Sequence, residues 1–171
     1  GVVIGGASGN TVGGTVAGAR NVIAGNGNTQ SGAGMGILVS DPGAAGNTVA
    51  GNYIFENVDA GVTINNAPNN TIGGTSSTTP GGSCAGACNL ISANGTAGVF
   101  IASSSATTNT VLGNFIGMDV TGRWARGNGQ DGVYISAATN NTVGFATASG
   151  RNLISSNGRH GVHIANASGA G

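Results

Sequence analysis

The side chains best suited to chemistry fall at two repeated positions in this chain. Two residues after a recurring glycine, the sequence reads Val3, Leu38, Thr63, Phe100, Tyr134 and His163; immediately before that glycine it reads Met35, Ala60, Ala97, Asp131 and His160. If the glycines align in space, Asp131, Tyr134, His160 and His163 form a catalytic candidate set, with Tyr134 or a histidine as acid or base. Phe100, Tyr134, His163, Trp124 and Arg126 form the matching ligand-binding set, the last two from a long loop beside the column. Arg126 or Arg159 would neutralise a uronate carboxylate, so the substrate class is an acidic glycan. The competing reading is plainer: a few large side chains stacked on an exposed sheet face.

Other chemistries find less support. The five acids, Asp41, Glu56, Asp59, Asp119 and Asp131, share no column, so the carboxylate pair of a glycoside hydrolase is missing. Asp119 and Asp131 together fall short of the six or more oxygens that calcium takes, and no metal or cofactor is expected. Cys84 and Cys88 are too few for a zinc site and have no nearby His. They are expected to form a disulfide closing a small Gly-rich loop, which points to an oxidising compartment. Thr11, Thr48, Thr71, Thr110 and Thr142 make one outward Thr rank, a third and weaker candidate surface, for ice.

These positions have meaning only if the chain repeats, and it does. Asn-Thr-(Val/Ile) recurs at Asn10, Asn47, Asn70, Asn109 and Asn141; Asn-x-Ile at Asn21, Asn52, Asn89, Asn114 and Asn152; and the Gly-led alternating run at Gly36, Gly61, Gly98, Gly132 and Gly161, with Gly1 opening on the same run. The stretch from Asn47 to Ile64 holds one copy without insertions. Its three apolar runs, each of three or four β-prone residues, are separated by Gly and Asn, which specifies short strands and corners instead of a helix. Insertions fall at the corners: residues 12–20, 72–88 and 143–151 at the first, residues 27–34 and 117–130 at the second. Strands keep register while corners absorb length.

Within GVTI, GVFI, GVYI and GVHI, Val and Ile point inward and the residue between them outward. Stacked coils would build inner columns such as Val62, Val99, Val133 and Val162, with corner asparagines forming side-chain ladders. A lone coil is unstable. Four buried aliphatics contribute roughly 6–12 kcal/mol, against at least ~20 kcal/mol of backbone entropy for over 20 ordered residues. Stability must come from stacking.

Composition agrees. Of 171 residues, 35 are Gly, none is Lys, and only 6% are charged, yet 39% are hydrophobic. Disordered chains are poorer in apolar residues and richer in charge. Five Arg against five acids leave no basic footprint for nucleic acid, and no apolar run approaches the roughly 18 residues of a membrane helix.

The repeat resembles that of the right-handed parallel β-helices of the pectate-lyase-like superfold, found in bacterial secreted and surface proteins, and the resemblance covers essentially the whole chain. It implies an all-β solenoid of about five to six coils, three short strands per coil, over residues 1–171 as one domain. It also implies a secreted or cell-surface location. Because that superfold hosts lyases, hydrolases, tailspikes and adhesins, it leaves function open.

Both ends read as mid-coil, Gly1-Val2-Val3-Ile4 against Gly161-Val162-His163-Ile164, with no capping helix. Even the residues that follow match, Ala7-Ser8-Gly9 against Ala167-Ser168-Gly169. Self-association by end-to-end coil stacking is therefore the expected partnership, or else continuation within a longer surface protein. The functional expectation is a non-catalytic structural or adhesive solenoid. The alternative is a glycan-active enzyme or binder on the Phe100/Tyr134/His163 face.

Overall fold

Short apolar runs bounded by Gly and Asn satisfy their backbone groups by pairing with the equivalent run one repeat away. The computed structural model describes residues 1–27, 34–75, 78 and 81–166. The first coil contains β1 (Val2–Gly5), β2 (Thr11–Gly13) and β3 (Val22–Ala24). The second contains β4 (Ile37–Ser40), β5 (Thr48–Ala50) and β6 (Tyr53–Phe55). The third contains β7 (Val62–Asn65), β8 (Thr71–Gly73) and β9 (Leu90–Ser92). β10 (Val99–Ala102), β11 (Thr110–Leu112) and β12 (Phe115–Ile116) make the fourth. β13 (Val133–Ser136), β14 (Thr142–Val143) and β15 (Leu153–Ile154) make the fifth, and β16 (Val162–Ala165) opens a sixth. The expected matches at residues 167–169, and the swelling over residues 28–33, lie outside the described residues.

Strands pair in parallel with their counterparts one coil away, in three sheets: β1-β4-β7-β10-β13-β16, β2-β5-β8-β11-β14 and β3-β6-β9-β12-β15. This is the right-handed parallel β-helix that the repeat specifies, the hand being that of crossovers between parallel strands. Register follows the motifs without slippage: Val62 pairs with Val99, Val99 with Val133 and Val133 with Val162. Inner residues Ile37, Val49, Ile54, Ile64, Ile72, Ile91 and Ile101 are fully buried and form one continuous core along the bore.

The corners are held by asparagine. Asn10, Asn47, Asn70, Asn109 and Asn141 form one ladder, each accepting at Oδ1 from the preceding member. Asn21, Asn52, Asn89, Asn114 and Asn152 form a second, with amide contacts of 3.0, 3.2, 2.9 and 3.1 Å. A third ladder runs through Asn26, Asn57, Asn94, Asn128 and Asn157 at 2.8 to 2.9 Å. It was not anticipated as a column. Its signal is an Asn five residues after Asn-x-Ile, interrupted only where the 117–130 insertion separates Asn114 from Asn128.

The glycine opening the Gly-led strand is required by close approach at Gly1, Gly36, Gly61, Gly98 and Gly132, though not at Gly161. A Cβ on Gly98 would lie 2.7 Å from the Gly132 carbonyl oxygen, 2.7 Å from Ile116 Cγ2 and 2.9 Å from Asn128 Nδ2. Neighbouring coils meet here, at the motif isoleucine and the third ladder together.

The insertions do more than project. Outward residues of the third sheet include Leu90 and Phe115, and both are buried beneath Cys84, Cys88 and Met118 as a second small core. Cys84 and Cys88 are bonded to each other, as expected. The Cys84 N–H donates to the Val120 carbonyl at 3.2 Å, tying the insertion after β8 to the one after β12. Two corners therefore fold over one face, where burying each large side chain contributes about 1.5–3 kcal/mol.

Candidate functional site

The candidate site lies on the outer face of the first sheet, in its last three coils. Strand pairing sets Phe100 opposite Tyr134 and Tyr134 opposite His163. The backbone one step before each strand is also in register, since Gly98 N–H donates to the Asp131 carbonyl and Gly132 N–H to the His160 carbonyl. The two columns read from the sequence are thus adjacent columns in space.

Coil spacing fixes the ring geometry. Phe100 and Tyr134 stack with centroids 5.2 Å apart and planes 14° from parallel; Tyr134 and His163 stack at 4.7 Å and 20°. Tyr134 spends both faces on its neighbours, and Phe100 and His163 spend one each, so the middle of the stack offers mainly ring edges.

Asp131 is the unusual member. It is 1% exposed, although its column flanks an outward face. Oδ1 accepts from the His160 backbone N–H at 3.0 Å and lies 2.7 Å from His160 Nδ1, while Oδ2 lies 3.4 Å from His163 Nδ1. Burial pushes the carboxyl pKa up. The hydrogen bonds from the His160 ring, the His160 N–H and the His163 ring, with the charge of Arg159, outweigh it and hold the pKa below the ordinary 3.8. Asp131 is therefore an ionised carboxylate facing two imidazoles. With Nδ1 of His160 bonded to it and that ring 55% exposed, Nε2 is the ring nitrogen left to meet a ligand.

The structure does not bring the loop residues to this place. Arg126 pairs with Glu56 and lies 5.7 Å from the centre of the Phe55 ring, against the third sheet. Trp124 lies in a depression of about 380 Å³ with Arg123, Thr121 and Gly81–Ser83. The Asp119 carboxylate accepts from the Thr121 hydroxyl and from the Arg123 and Trp124 N–H groups, organising its own loop. The Thr rank is in register from Thr11 to Thr142. Its neighbouring positions Ala50 and Leu112 are buried, so one rank stands without a second.

Among the described residues no helix is long and apolar enough to cross a membrane. Compared with protein-family models, with curated proteins and with solved structures, the chain gives no match.

Proposed function

We propose that this chain is a non-catalytic structural and adhesive β-solenoid of the extracellular space, acting by coil stacking, either inside a longer surface protein or from copy to copy along a filament. The observation that carries this reading is that large apolar side chains lie uncovered in the end coils of the described residues. At one, Val143, Phe145, Ile154 and Val162 line a depression of about 560 Å³, with Phe145 60% and Ile164 70% exposed. At the other, Val3 is 70% and Val22 65% exposed, and Val22 lines a depression of about 320 Å³. Among the described residues, strands β1 to β3 and β14 to β16 pair on one side only, and such edges recruit further strands. The three parallel sheets support placement with the pectate-lyase-like superfold, and the Cys84–Cys88 bond supports an oxidising location.

Electron microscopy and sedimentation of the purified chain test this. Filaments, or concentration-dependent head-to-tail oligomers, are expected. A monomer that stays monomeric at high concentration would defeat the copy-to-copy form, leaving the longer-chain form to be read from the native protein's mass.

A glycan-binding reading is favoured by one observation: Trp124 is 73% exposed beside Arg123, an aromatic face next to a cation. Trp124 is the sole tryptophan, so quenching or a spectral shift of its fluorescence by an acidic polysaccharide would report binding. Turnover of that polysaccharide, abolished in Tyr134→Phe or His163→Ala, would instead identify an enzyme.

A further inference from the structure

We propose that Asp131, His160 and His163 form a binding site for a divalent transition-metal ion such as Zn²⁺ or Cu²⁺. Their ligand atoms all lie within 4.8 Å of one another. One carboxylate with two imidazoles is a donor set for borderline metals, whereas calcium and magnesium take six or more oxygens. Three protein ligands leave further coordination positions open to water or to a ligand.

The carboxylate is already placed for this role. It is buried and held in orientation by the His160 N–H at 3.0 Å. The 3.4 Å between Asp131 Oδ2 and His163 Nδ1 matches the separation of two ligands around a tetrahedral ion with bonds of about 2.0–2.2 Å. The 2.7 Å between Asp131 Oδ1 and His160 Nδ1 is a hydrogen bond. There the metal takes the place of the bridging proton, which passes through solvent to Nε2 as the ring changes tautomer. His160 is half exposed and free to open that contact by the small amount needed. His163 has less freedom, packed against Tyr134 at 4.7 Å, and acts as the fixed ligand.

The chain contains only two histidines, which makes the test unambiguous for tag-free protein. Calorimetric titration with Zn²⁺ alone should give one ion per chain. Electron paramagnetic resonance with Cu²⁺ alone should show couplings from two imidazole nitrogens. Asp131→Asn, His160→Ala and His163→Ala should each weaken Zn²⁺ binding by about tenfold or more, with circular dichroism confirming that each remains folded. Absence of binding near roughly 1 mM Zn²⁺ and Cu²⁺, well above the micromolar range, overturns the site. So does affinity unchanged in folded His163→Ala, or a Cu²⁺ spectrum without two imidazole couplings.

Discussion

Replacing Asn89 by Ala tests the claim that the asparagine columns, and not the aliphatic bore alone, hold the coils together. Asn89 is fully buried midway along the second ladder. Its Oδ1 accepts from the Asn52 N–H at 2.9 Å and from Asn52 Nδ2 at 3.2 Å. Its Nδ2 donates to the Val49 carbonyl at 2.8 Å and to Asn114 Oδ1 at 2.9 Å. Alanine removes all four bonds. Asn52 Nδ2 retains the carbonyls of Val12 and Ala50, but the buried Asn52 N–H keeps no acceptor among the described residues. At roughly 0.5–1.5 kcal/mol per bond, with the desolvated N–H adding about 1–3 kcal/mol, the loss is about 3–9 kcal/mol. Urea unfolding followed by circular dichroism measures it, with Asn10→Ala as the exposed control, expected at or below about 1 kcal/mol. A cost for Asn89→Ala under about 1.5 kcal/mol, close to the control, would falsify the ladder argument and assign cohesion to apolar packing.

Further outcomes follow from the same geometry. Gly73 has φ +94° and a Cβ there would lie 1.9 Å from the Leu112 carbonyl oxygen, whereas Gly46, at φ +68°, faces open space. Gly46→Ala should cost about 1–2 kcal/mol for the left-handed backbone alone, and Gly73→Ala clearly more, both read by thermal unfolding. Because the Asp131 pKa is depressed on folding, its contribution to stability is present above about pH 5 and is lost as pH falls through the folded value. In chelator-treated protein, the drop in unfolding free energy below that pH should be shallower for Asp131→Asn than for the parent. Tyr134→Ala removes both stacking contacts of the aromatic column. It should cost about 1–3 kcal/mol beyond its lost buried area, while Phe100→Ala, which removes one, should cost about half that extra amount.

The solenoid was legible because its information is periodic. Each strand's partner is a near copy of itself, so Asn-Thr-(Val/Ile), Asn-x-Ile and the Gly-led run announce sheet, corner and register at once. The column Phe100, Tyr134, His163 followed from that register with no further assumption. The third ladder was present in the same spacing, but the insertion ahead of Asn128 broke its rhythm and hid it.

The burial of Asp131 was not legible. Alternation says which face a position flanks, but not that a carboxylate there turns inward to accept an N–H and two imidazoles from the next coil. Nor could sequence place Trp124 and Arg126, which proximity along the chain had assigned to the aromatic column. An insertion has no equivalent in neighbouring coils to fix its course. Its path is chosen by whatever apolar surface lies within reach, here Leu90 and Phe115 on the third sheet. Sequence alone determined the repeating frame, since strand pairing acts between like segments. Tertiary structure alone decided where the irregular segments lie and which titratable groups meet, since those contacts form between unlike segments brought together by packing.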